Sequence, residues 1–150
     1  MKKLLILSLT VALVMSVYGC KKTSTTQKKW TIGMSQCNLN EPWRVQMNED
    51  LAAAAAKHPE IKMIFKDAQN DSTVQRSQME EYISQKVDLI IVSPLESAPL
   101  TKVVEQAQEA GVPVIVLDRR VDTDKYTCFI GADNENCLLY TSPSPRDRTR

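Results

Sequence analysis

Two pairs of adjacent residues have the types and placement to do chemistry. Asp118 and Arg119 follow the apolar run of GVPVIVLDRR (residues 111–120), and Trp43 and Arg44 open a helical stretch over 42–58. A carboxylate only accepts hydrogen bonds and a guanidinium only donates them, so together they suit a polyhydroxylated ligand. An indole adds a flat apolar face for the CH surface of a ring. Such groups discriminate by hydroxyl geometry, because each buried donor or acceptor left unmatched costs about 1 to 3 kcal/mol. Gln36 is a further candidate of the same kind. Each pair also has a plain structural reading. Trp43 can staple its helix to the preceding loop, and Asp118 with Arg119 can form a surface ion pair worth little. Their coincidence on one sheet edge favours a ligand site.

That edge follows from the elements. Residues 30–36 read as a short apolar strand, and 42–58 as a helix with Pro42 in its first turn and an alanine run, 52–56, suited to close packing. A second strand spans 61–68. A helix through Gln85 follows, with Ser72 and Gln75 spaced as a capping box. Residues 87–93, VDLIIVS, make strand three, ended by Pro94. The helix over 98–110 carries Pro99 in its first turn and stops at Gly111. Strand four spans 112–117 and strand five 126–132. Continuous β-branched runs joined by helices of this length imply a parallel sheet covered on both faces by right-handed crossovers. The expected fold class is therefore α/β, and in such sheets ligands bind beyond the carboxyl ends of the strands, where both residue pairs fall.

The two ends differ from this core. Residues 1–19 have basic Lys2 and Lys3, then an apolar run shorter than the roughly 20 residues a bilayer span needs, as in a secretory signal. VYGC resembles a bacterial lipobox with Cys20 as the lipidated mature N-terminus, plain secretion being the alternative. Residues 20–29 are polar and read as a tether. Residues 137–150, CLLYTSPSPRDRTR, carry no periodicity and resemble a translated sequencing adapter, the alternative being a disordered basic tail. The expected division is thus signal 1–19, tether 20–29, lobe 30–136 and non-native tail 137–150. Setting aside Lys2, Lys3, Arg146, Arg148, Arg150 and Asp147 reduces 19 basic and 18 acidic residues to 14 and 17. The remaining net negative charge argues against a nucleic-acid surface. Cys37 and Cys128, in non-neighbouring parts of the sheet, are expected as two free thiols.

Catalytic patterns are missing. There is no GxSxG elbow, no GxxxxGK loop and no GxGxxG, since Gly33 stands alone. His58, the single histidine, reads as a solvated helix end, and neither CxxC nor HxxxH provides metal spacing. Cys37 and Lys125 read as packing and solvent residues. These features argue against an enzyme and imply neither cofactor nor metal.

IGMSQ, PWR, FKDAQND, VDLIIVSP, AGVPVIVLDRR and YTCFIGADN, in this order and spacing, closely resemble the periplasmic sugar-binding proteins of the ribose and galactofuranose group. The resemblance covers nearly all of residues 30–136. It implies the N-terminal lobe of a two-lobe type I periplasmic-binding fold that closes by a hinge on a monosaccharide. Residues 131–134 would then approach the first crossing between lobes, with the second lobe supplying half the contacts. Trp43 and Arg44 match the pair that covers the sugar from this lobe, and Asp118 and Arg119 match the acid and arginine that hold its hydroxyls. The tryptophan–arginine pair resembles the galactofuranose type more than the ribose type. The implied partner is a membrane ABC permease, and the implied location is the periplasm or cell envelope, with membrane contact through the lipid anchor alone. SQC, WR and DKYTCFIGADN also resemble periplasmic sensor domains of hybrid two-component kinases. A sugar-responsive repressor shares this lobe but begins with a helix-turn-helix, where this chain has a signal segment.

Overall fold

The computed structural model describes residues 29–132. The signal segment, Cys20, residues 21–28 of the tether, residues 133–136 and the 137–150 tail lie outside the described residues. Five strands and three helices alternate: β1 (Trp30–Gln36), α1 (Pro42–Ala55), β2 (Ile61–Asp67), α2 (Ser72–Ser84), β3 (Leu89–Ser93), α3 (Ser97–Glu109), β4 (Val114–Leu117) and β5 (Cys128–Ile130). All pairings are parallel, in the order β2-β1-β3-β4-β5. This is the α/β sheet expected from the alternation. No helix among the described residues is long and apolar enough to cross a membrane.

The main core lies between the sheet and α2 and α3. Ile90, Val92, Val114 and Val116 face Met79, Tyr82, Leu100, Val103, Val104 and Ala107. The other face of the sheet carries Met34 of β1, Ile91 of β3 and Leu117 of β4, which meet Met47 and Leu51 of α1. Burial on both faces is why these strands read as continuous rather than alternating apolar runs. Gly33 serves packing: a Cβ there would stand 2.8 Å from the Tyr82 ring. The ring crosses β1, and its single O–H is shared between the carbonyls of Met34 and Ile64, both at 3.0 Å. Gly111 ends α3 as expected, with φ of 79° in the left-handed region open to glycine.

Four local expectations are corrected. The capping box at Ser72 and Gln75 does not form. Asp71 is the N-cap, accepting from the Thr73 and Val74 amides, and Gln75 turns inward. The alanine run is mostly exposed, because α1 packs through Met47 and Leu51, one turn apart. Helix α1 ends at Ala55 rather than 58, and β5 is three residues long where seven were expected. Cys37 is buried and Cys128 exposed, and both are free, as their separation across the sheet requires.

Candidate functional site

The carboxyl ends of β1, β3 and β4 converge on one guanidinium. Arg44, in the first turn of α1, is 3% exposed. Its Nη1 donates to Gln36 Oε1 at 3.1 Å and to Ser93 Oγ at 3.0 Å, the last residues of β1 and β3. Its Nε donates to Glu41 Oε2 at 2.9 Å and its Nη2 to Asp118 Oδ2 at 3.5 Å. A guanidinium has five N–H donors in a fixed fork, so one Nη2 hydrogen is left for another acceptor. Trp43 caps the group, its ring centroid 4.1 Å from Arg44 Cζ. The indole is 45% exposed and turns its other surface outward.

Asp118 follows directly on β4 with φ of 66°, a left-handed conformation that aspartate tolerates better than most residues. The turn is held by its own amide, which donates to the Ile130 carbonyl at 2.9 Å. Its side chain is about one-third exposed. With Oδ2 on Arg44, Oδ1 has no hydrogen-bond partner among the described residues. Arg119 is exposed, and its Nη1 donates to the Leu95 carbonyl at 2.6 Å in the loop after β3.

Trp43, Arg44 and Asp118 are thus brought together as their places in the chain suggested. The ionic partner of Asp118 is Arg44, not its neighbour Arg119. Gln36 is fully buried, with its amide directed to Arg44, Met47 and Asn48, so it supports the guanidinium from below. Two contributors were not singled out from the sequence: Glu41 and Ser93. Glu41 stands three residues before Arg44, a spacing at which opposite charges meet. Ser93 is the polar residue ending an apolar strand. Burial keeps the Cys37 thiol, below the site, above its ordinary pKa of 9.0, against the opposing pull of Arg44. The set Glu41, Arg44, Asp118 and Arg119 is formally neutral, with accessible acceptors on the two carboxylates and exposed donors on Arg119. It can hold an uncharged polyol in many orientations of donor and acceptor, and has no excess charge for a phosphate or carboxylate ligand.

Among the described residues no cluster of three or more His, Cys, Asp or Glu could hold a metal ion.

A parallel sheet in this order, flanked by helices and presenting its polar groups past the strand ends, is a lobe of the type I periplasmic-binding fold. The chain belongs to the periplasmic binding protein domain family, whose model matches residues 32–137. It is 37% identical over 111 residues to the ribose import binding protein RbsB of Bacillus subtilis, covering 74% of this chain and 36% of that protein. It is 30% identical over 107 residues to the galactofuranose-binding protein YtfQ of Escherichia coli, covering 69% and 33%. The fructose-binding periplasmic domain of a hybrid two-component system superposes with a TM-score of 0.69 at 36% identity, over 72% of this chain and 36% of that one. An ABC transporter solute-binding protein from Bacillus halodurans with bound myo-inositol gives 0.68 at 33% identity, over 76% and 42%. The chain therefore spans roughly a third to two fifths of the length of these relatives.

Proposed function

We propose that the chain is the first lobe of a periplasmic substrate-binding lipoprotein of an ABC sugar transporter, anchored through Cys20, which captures a monosaccharide by hinge closure against a second lobe. The observation that carries this reading is the buried Arg44. It holds Glu41 and Asp118 at fixed positions beneath an exposed indole, an arrangement ready to stack on a ring and bond its hydroxyls. Its relatives' names supply the ligand class: ribose, xylose and galactofuranose among proteins, fructose and myo-inositol among structures. No chemical step is required. The closed form is what the permease would recognise, and transport energy would come from the permease.

Half a site should bind weakly. A micromolar complex is worth about 8 kcal/mol, and half of that leaves a Kd of about 1 mM. Titrating the 15N-labelled chain with ribose, xylose, fructose, galactofuranose and myo-inositol to about 100 mM covers that range. At least one sugar is expected to shift the Trp43 indole and Arg119 side-chain signals. In Asp118→Asn, which keeps the left-handed turn but loses the charged acceptor, the affinity is expected to fall about tenfold, or 1.4 kcal/mol. No response to any of the five sugars would overturn the reading, and an unchanged affinity in Asp118→Asn would overturn the site.

A second reading is favoured by the fructose-binding relative: the lobe would belong to the periplasmic sensor of a hybrid two-component kinase, where closure signals across the membrane. Sequencing the source DNA onward from the codon for Asn136 separates the two. A second α/β lobe followed by a stop supports the transporter protein, and a membrane span followed by a kinase supports the sensor.

A further inference from the structure

We propose that Gln75, buried in α2 and outside the ligand site, is the positioning residue that holds Arg119 in place. The inference rests on the sugar-binding reading for its functional consequence, though not for its geometry. Gln75 is fully buried, yet its amide is used at both ends. Nε2 donates to the carbonyl of Ser93 at 2.9 Å and lies 3.4 Å from that of Ser35. Oε1 accepts from the Leu95 amide at 2.9 Å. These are the ends of β3 and β1 and the loop leading to α3. Pro94 has no N–H, so Leu95 carries the first backbone donor after β3. With that donor held by Gln75, the Leu95 carbonyl is presented to Arg119 Nη1 at 2.6 Å. The path from helix to ligand edge is Gln75 amide, the Leu95 backbone from its N–H to its carbonyl, Arg119 guanidinium. A buried amide with both ends satisfied is costly to remove, because the buried carbonyls of Ser93 and Ser35 lose a donor and gain no water.

Gln78, one turn further along α2, provides an internal control. It is also buried and bonded, accepting from Ser35 Oγ at 2.8 Å and donating to the Asp67 carbonyl at 2.8 Å. It makes no bond to Leu95. Replacing either glutamine by leucine removes comparable bonds, and only Gln75→Leu breaks the path to Arg119.

The test uses the full 150-residue chain, 15N-labelled, with ribose and fructose as probes. Gln75→Leu is expected to lower Leu95 amide exchange protection at least about tenfold and to move the Arg119 Nε–H signal toward that of free arginine, while Gln78→Leu does neither. Sugar Kd is expected to rise roughly 3- to 10-fold in Gln75→Leu and less than about twofold when the same change is made in Arg119→Ala. Gln75→Glu keeps the test decisive if the leucine variant does not fold. Its protonated carboxyl donates to Ser93 and accepts from Leu95, so at acid pH Leu95 protection and the Arg119 Nε–H signal should stay near those of the parent, and their loss there would overturn the proposal. Unchanged Leu95 and Arg119 signals in Gln75→Leu would overturn the proposal. An equal affinity loss with and without Arg119 would overturn the route through Arg119. Binding of neither sugar by the parent chain, with Arg119 still released in Gln75→Leu, would support the positioning role and count against the sugar reading.

Discussion

Replacing Arg44 with methionine separates a buried structural guanidinium from a merely decorative one. Methionine fills most of the side-chain volume and removes every donor. The two carboxylates lose little, because Glu41 and Asp118 are 46% and 36% exposed and water can solvate them, and exposed pairs of this kind are worth about 0 to 1 kcal/mol each. The larger loss is below. Gln36 Oε1 and Ser93 Oγ are fully buried and each loses a charged donor. Gln36 Oε1 retains only the Cys37 amide at 3.3 Å and the weak thiol donor of the same residue at 3.9 Å, and a buried acceptor stripped of its partner costs about 1 to 3 kcal/mol. Discounting for the hydroxyl of Ser93, which can rotate, the expected destabilisation is about 2 to 3 kcal/mol. In a domain of this size that lowers Tm by roughly 10 to 15 °C. Arg44→Lys should recover less than half of the loss, since one ammonium cannot span four partners. Urea and thermal melts followed by circular dichroism measure the cost, and Trp43 emission reports loss of the stacked cation. A shift for Arg44→Met within about 0.5 kcal/mol of the parent would refute the network as a stabilising element.

Two further predictions concern the supports beneath the site. Gly33→Ala puts a methyl group 2.8 Å from a Tyr82 ring anchored at its hydroxyl, so it should destabilise by about 1 to 3 kcal/mol; a melting curve unchanged from the parent would show that the ring can step aside. Cys37, when the other three cysteines are replaced by serine, should resist thiol reagents in the native state and react fully in denaturant, because it is buried and its pKa is raised. The same shift sets a pH dependence. Below its ordinary value of 9.0 both states keep the proton; above it the unfolded chain releases the proton before the native thiol does, so stability falls as pH rises. Tyr82, raised by burial from 10.0, continues the decline at higher pH. Urea midpoints measured from about pH 7 to 10 should fall, with the first part of the decline missing in Cys37→Ala; identical pH profiles for that variant and the parent would remove Cys37 as the cause.

The sheet was readable because strands covered on both faces and helices of 13 or 14 residues leave few alternatives. That also placed Trp43, Arg44 and Asp118 on one edge. What could not be read was which polar groups turn inward. Asp118 pairs with Arg44, 74 positions away, instead of the arginine beside it, from a left-handed turn after β4 that the strand pattern does not reveal. Gln75 was read as half of a capping box and Gln78 was not singled out, yet both turn inward at the carboxyl end of the sheet, where strand carbonyls run out of neighbouring strands and still need donors. Gln75 and Gln78 meet that need, donating to Ser93 and Asp67, the last residues of β3 and β2, and Tyr82, four residues further along α2, reaches the mid-strand carbonyls of Met34 and Ile64. A polar stripe at helical spacing, in the helix after strand two, is therefore a legible signal once unsatisfied carbonyls are counted as well as apolar faces. Its consequence reaches the proposed site: the groups proposed to face a ligand are few, and Gln36 and Gln75, whose bonds reach Arg44 and the Leu95 backbone, are fully buried.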